Sequence, residues 1–168
     1  SNDGWAVGYR SDSCIVHWDG KSWRKVSGYR YETLFSVFMV GTNDGWVVGG
    51  DFWRPTILHC YKGPWNIVSS PVDRKSFYCF SIFMVNSSDG WIVGGEGTIL
   101  YWNGKSLSVA SSPTRNSLYS IFMVNSNDGW IVGEEGMMLR YSKEYLYVSS
   151  TPSPTPTATT PSPTSTVT

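Results

Sequence analysis

The sequence predicts an all-β fold: a β-propeller fragment of about four blades of four-stranded antiparallel sheet, the first blade lacking its inner strand, followed by a disordered Pro/Thr-rich tail. Three observations carry the prediction. The phrase Asp-Gly-Trp-x-Val-Gly is written four times, with its tryptophans at Trp5, Trp46, Trp91 and Trp130, spaced by 41, 45 and 39 residues. Around each copy, short segments rich in β-branched and aromatic residues recur in one order, bounded by Gly, Asn, Asp, Ser or Pro. No apolar period of helical length competes with them. Four strands in a unit of about 40 residues match one propeller blade.

Each strand type can be justified in turn. Strand A is written "TLFSVFMV" (33–40), "CFSIFMV" (79–85) and "LYSIFMV" (118–124), each just before an Asp-Gly-Trp phrase. Strand B is the phrase itself. Strand C follows as "CIVHW" (14–18), "TILHC" (56–60), "TILYW" (98–102) and "MMLRY" (137–141). Strand D starts at Trp23, Trp65, Leu107 and Leu146. Such sheets carry apolar residues on both faces, so blades must stack to bury them. Blades are expected at about 1–27, 31–70, 76–112 and 117–150. The first has no strand A, which leads us to expect further blades upstream in the same chain. Residues 151–168 are Thr, Pro and Ser apart from Ala158 and Val167. They have no core-forming pattern and read as a solvated linker or stalk.

Composition excludes several function classes. Thirteen basic and thirteen acidic residues give a formal net charge of zero, and charged residues are only 15%. A nucleic-acid partner is not expected, because the phosphate-neutralising excess is missing. No run of 18 apolar residues is present, so no membrane insertion is expected. Cys14, Cys60 and Cys79 match no zinc spacing and read as small buried side chains, with one disulfide left open. No nucleophile elbow, phosphate loop, zinc helix or EF-hand loop occurs, so no cofactor, no metal and no catalytic residue are expected.

The recurring residues Asp3, Trp5, Asp44, Trp46, Asp89, Trp91, Asp128 and Trp130 are read as structural. Asp-Gly is a common hairpin-turn dipeptide, with Asp bonding its own turn and Gly free to take positive φ. The tryptophan then wedges between blades. His17 and His59 hold the place that Tyr101 and Arg140 hold later, and lie on different blades, so they read as partly exposed histidines and not as a metal pair. Glu96, Glu134 and Glu135 share one rim, but a solvated hairpin tip is the expected role.

The succession of strand A, "NDGWIVG" and "GTILYWNGKS" resembles the repeats of bacterial propellers in the photosystem II assembly-factor-like group, which overlap with the Asp-box, sialidase-type propellers. The resemblance runs from residue 1 to about residue 150. It implies the propeller fold, and by itself no single activity. In the C–D turn only "HWDGKSW" (17–23) keeps both Asp and Trp of an Asp-box, so these turns are expected to be structural and not to imply sialidase activity.

Alternating strand direction puts B–C loops and D–A connections on one face. There lie Phe52, Trp53 and Arg54 of a lengthened loop, Tyr29, Arg30 and Tyr31, Arg74, and Arg115. Aromatic and Arg side chains recur at binding hot spots, so this face is the candidate contact surface for a protein or carbohydrate. The sequence thus predicts a noncatalytic recognition or scaffold module, secreted or at the cell surface given the stalk-like tail. A glycoside hydrolase or lyase with upstream catalytic residues, and a photosystem II assembly-factor-like protein, are the alternatives.

Overall fold

A computed structural model describes residues 2–8, 14–26, 33–51, 54–72, 77–142 and 145–148. Its fifteen strands form four separate antiparallel sheets. The first holds β1 (Gly4–Gly8), β2 (Cys14–Trp18) and β3 (Trp23–Lys25). The second holds β4 (Leu34–Gly41), β5 (Asp44–Gly50), β6 (Pro55–Tyr61) and β7 (Trp65–Ile67). The third holds β8 (Cys79–Asn86), β9 (Asp89–Gly94), β10 (Ile99–Trp102) and β11 (Leu107–Ala110). The fourth holds β12 (Leu118–Asn125), β13 (Asp128–Gly133), β14 (Met138–Ser142) and β15 (Tyr145–Val148). Strand order within each sheet is sequence order, the meander of a propeller blade. In the first blade the described strands are B, C and D.

Core packing lies between blades. Because side chains alternate along a strand, each blade has one face toward the preceding blade and one toward the next. Ile15 with Leu34, Val47, Leu58 and Trp65 joins blades one and two. Trp46, Val48 and Ile57 meet Cys79, Ile82, Met84, Ile92 and Leu100 between blades two and three. Trp91, Val93 and Ile99 meet Leu118, Ile121, Met123, Ile131 and Leu139 between blades three and four. Trp46, Val47, Leu58, Ile99, Leu100 and Leu139 are fully buried. Each such aliphatic side chain contributes about 1.5–3 kcal/mol.

The Asp-Gly phrase differs from its expected role. Asp44, Asp89 and Asp128 already belong to strand B, and the two-residue turn precedes them. Gly41 faces Asp44, Asn86 faces Asp89 and Asn125 faces Asp128 across it. The turn is bonded by asparagine: the Ser88 N–H donates to Asn86 Oδ1 (2.9 Å) and the Asn127 N–H to Asn125 Oδ1 (2.8 Å). Nor does the glycine supply positive φ. Gly45, Gly90 and Gly129 leave room for strand A, because a Cβ there would stand 2.3, 2.1 and 2.3 Å from the sulfur of Met39, Met84 and Met123.

Cys60 and Cys79 are free and buried. The Cys60 thiol donates to the Gly63 carbonyl (2.9 Å), and burial pushes the Cys79 thiol far above its ordinary pKa. These two are the only partners that Cys14 could have within this sequence, so the one disulfide that the sequence left open is not formed among the three cysteines. No helix among the described residues is long and apolar enough to cross a membrane.

Candidate functional site

The repeated aspartates bond across the sheet. Asp3 pairs with His17 (2.5 Å), Asp44 with His59 (2.9 Å) and Asp128 with Arg140 (3.2 Å). In blade three Tyr101 takes the same place, opposite Trp91 and near the buried Asp89. Burial, and next the charge of Asp89, raise the pKa of Tyr101; the same two causes raise that of Tyr141 from the neighbouring blade. The strand-C partner also covers the repeated tryptophan. Trp5 stacks on His17 at 4.3 Å, Trp46 on His59 at 4.0 Å, and Trp91 packs on Tyr101 at 4.6 Å between centroids. The Arg140 guanidinium lies 5.4 Å from the Trp130 centroid. Each set follows from register, since Trp46 faces His59 and Trp130 faces Arg140 on adjacent strands. These contacts hold strand B to strand C. Among the described residues no three His, Cys, Asp or Glu side chains gather as a metal site.

A second recurring feature faces outward. In every complete A–B pair the register skips two residues of strand A, one near each end, and the first of them carries a ring. Leu34 faces Gly49 and Ser36 faces Val48, which makes Phe35 the extra residue of a β-bulge; Phe80 and Tyr119 hold the same place. A bulge re-aims the side chain it carries. The three rings form a row across the inner strands, Phe35 to Phe80 at 5.4 Å and Phe80 to Tyr119 at 5.5 Å. Tyr78 joins them at 6.1 Å from Phe35. Phe35 is 43% exposed and Tyr119 50%, so the row is a surface and not a core. Simple alternation hides this: the clue in the sequence is the aromatic residue fixed before Ser in "LFS", "CFS" and "LYS".

The row lies at the start of strands A, beside the B–C loops. Two of these loops are short turns, Gly95–Gly97 and Glu134–Gly136, with Glu96 and Glu135 in the left-handed region at φ 52° and 57°. Glu134 accepts from the Ser117 N–H (3.2 Å) and Glu135 from the Asn116 side-chain amide (3.2 Å), tying the loop of blade four to the connection before β12. Beside the loop of blade three opens a cleft of about 490 Å³, lined by Pro71, Val72, Glu96, Thr98, Val109 and Arg115 among others.

Of the contact residues expected from sequence, Arg115 lines this cleft. Arg54 is exposed, its N–H bonded to Asp51 Oδ1 (2.8 Å). Phe52, Trp53, Tyr29, Arg30, Tyr31 and Arg74 lie outside the described residues. Arg115 and the ring row were not connected by sequence reasoning, because a bulge had to be seen for the rings to appear.

The C–D turns of blades one and three fold alike with different residues. Asp19 accepts from the N–H groups of Lys21 and Ser22 (both 2.9 Å), and Asn103 accepts from those of Lys105 and Ser106 (both 3.0 Å).

Comparison with known proteins bears on this arrangement. No curated protein sequence matches the chain. Among solved structures, one of YCF48 bound to D1 peptide is 20% identical with a TM-score of 0.58, over 68% of this chain and 40% of that one. YCF48 from Cyanidioschyzon merolae is 13% identical with a TM-score of 0.62, over 83% and 50%. An ancestral GH74 enzyme is 13% identical with a TM-score of 0.59, over 82% and 21%. At these identities the likeness is one of fold, and the chain spans half or less of each structure. The family model described as photosynthesis system II assembly factor YCF48 matches residues 57–142, from β6 to β14, which is just over half of the chain. On that match, this chain belongs to the photosynthesis system II assembly factor YCF48 family.

Proposed function

We propose that the chain is a noncatalytic, protein-binding propeller module that takes an extended peptide segment against its B–C/D–A face. The observation that carries this reading is the bulge-borne row Phe35–Phe80–Tyr119, three partly or largely exposed rings in line at the same ends of successive strands A. Aromatic rings and Arg supply large contact area at low entropic cost, the chemistry of hot spots. The solved YCF48 bound to D1 peptide supports a peptide as the ligand class. The Thr/Pro/Ser-rich residues 151–168 support an extracytoplasmic, stalk-borne setting.

The test is a titration of this chain with D1 peptide by fluorescence anisotropy. The variant Phe35→Ala/Tyr119→Ala is expected to keep its melting profile and lose about tenfold or more in affinity. Equal affinity of the variant removes the aromatic row as the site, and absence of binding by the unaltered chain removes the peptide reading. A glycan ligand, or glycoside hydrolysis, is the second reading, favoured by the likeness to the GH74 enzyme. Glycosidase chemistry needs two converging carboxylates, whereas Glu134 and Glu135 are already bonded to Ser117 and Asn116. Turnover on a glycan panel decides between the two.

A further inference from the structure

Asn103 is the one asparagine of the chain that is followed by glycine, in "WNGKS" (102–106). Blade one writes the same turn as "WDGKS" (18–22), with a carboxylate in place of the amide. The two turns share a backbone. Gly20 and Gly104 lie in the left-handed region, at φ 90° and 87°. The Asp19 N–H donates to the Ser22 carbonyl (3.3 Å), and the Asn103 N–H to the Ser106 carbonyl (3.4 Å).

Two bonds set the Asn103 side chain against its own main chain. Its Oδ1 accepts from the N–H groups of Lys105 and Ser106, both at 3.0 Å. The bond from Lys105 closes a ring of atoms that contains the Gly104 nitrogen, so the side-chain carbonyl is folded back toward that nitrogen. Both donors draw charge away from Cγ, and they would hold the oxygen on which negative charge gathers when Cγ is attacked. Gly104 has no side chain to crowd its nitrogen. Residues 103–106 are all exposed, so water and base reach the turn. Asn86 and Asn125 accept the same kind of bond, from the Ser88 and Asn127 N–H groups, but a serine follows each of them.

We infer that Asn103 is a self-modification site, deamidated by the backbone of its own turn without an enzyme. A base takes the Gly104 amide proton, and the nitrogen attacks Cγ of Asn103. The new N–Cγ bond closes a five-membered imide, and the Cγ–Nδ2 bond breaks with release of ammonia. Water then opens the imide. Opening at Cγ leaves aspartate in a normal main chain; opening at the main-chain carbonyl leaves isoaspartate, with the chain running through Cγ. One water is taken up and one ammonia released, with no change of oxidation state. The two products differ in consequence. Blade one shows that the turn accommodates aspartate, since Asp19 accepts from the same two N–H positions. The N–H groups of Ser22 and Lys21 hold its carboxyl below the usual range. An ionised carboxylate resists attack, so conversion to aspartate runs one way. Isoaspartate instead adds a carbon to the main chain and shifts the two donors, next to the Trp102–Leu107 end of the β10–β11 pair. The turn lies on the face opposite the B–C loops, so this inference is independent of the peptide reading.

The test incubates the whole folded chain in mildly alkaline buffer and follows it by peptide-mapping mass spectrometry, with isoaspartate read by enzymatic methyl transfer. The fragment holding Asn103 should gain the mass difference between OH and NH2 at least about tenfold faster than those holding Asn86 or Asn125. A synthetic peptide copying residues 101–108, YWNGKSLS, should convert no faster than the folded chain. Asp19→Asn writes the same turn into blade one and should add a second site that converts at a similar rate. The inference is overturned if Asn103 stays intact or converts no faster than Asn86 and Asn125. Conversion of the free peptide well ahead of the folded chain, or an inert turn in Asp19→Asn, overturns it equally.

Discussion

At the scale of single residues, the repeated Asp and Trp act through a partner that changes identity from blade to blade. His17, His59, Tyr101 and Arg140 differ in charge and shape, yet each covers the tryptophan of the facing strand, and His17, His59 and Arg140 also bond its aspartate. The sequence shows the Asp and Trp at once, because they do not vary. The partner is hard to see there, since what is kept is a donor on a flat or planar group and not a residue type. The C–D turn follows the same rule, Asn103 doing with an amide oxygen what Asp19 does with a carboxylate. The two differ in charge. The N–H groups of Ser22 and Lys21, aided by Arg24, hold the Asp19 carboxyl below its usual range. A depressed carboxyl stabilises the fold at neutral pH and stops doing so as pH falls through its folded value. Asp19→Asn is therefore expected to lower Tm slightly at neutral pH and by progressively less as pH falls below about 3.9, the ordinary Asp value. An equal Tm difference at neutral and at acid pH would show that the charge of Asp19 contributes nothing.

At the scale of elements, the order of strands was legible and the phase of their corners was not. Alternation and turn residues place strands A to D, but a one-residue shift in a hairpin leaves composition unchanged. Hence the Asp-Gly pair read as the turn, although the turn is the two residues before it, Ser87–Ser88 in blade three. Glycine was likewise read for its positive φ, when Gly90 and Gly94 serve strand A by lacking a Cβ. That role predicts a sharp contrast. Gly94→Ala puts a methyl 2.0 Å from the Tyr78 carbonyl and should cost about 3 kcal/mol or more. Gly8→Ala, in open space, should stay within about 0.5 kcal/mol. Urea titration of both variants measures the difference; similar midpoints would refute the close-approach account. The bulges were equally out of reach of alternation, and with them the ring row, because an extra residue in a strand is defined only by the strand it faces.

At the scale of the whole molecule, one interface is used three times, an outer face carrying Trp and Val against an inner face carrying Leu, Ile and Met. Stability is then close to a sum of blade and neighbour terms. The fit of methionine over glycine is also the same in three blades. A strand A that meets the wrong strand B finds an equally good seat, so the native contacts do not by themselves say which copy belongs where. The address is supplied by chain connectivity. With only two residues between β8 and β9, the correct partner is met within the time of hairpin formation, about 1–10 μs, before a distant copy arrives. Inserting a flexible Gly/Ser hexapeptide between Ser87 and Ser88 should leave the finished fold possible and slow that first meeting. Refolding by dilution at about 100 μM, followed by size-exclusion chromatography, should then give strand-exchanged oligomers with the insertion and monomer without it. A monomer in both cases would mean that the blades tell their strands apart by some other means. Repetition thus simplifies what the molecule must build and leaves the shortest turns to keep its copies from being confused.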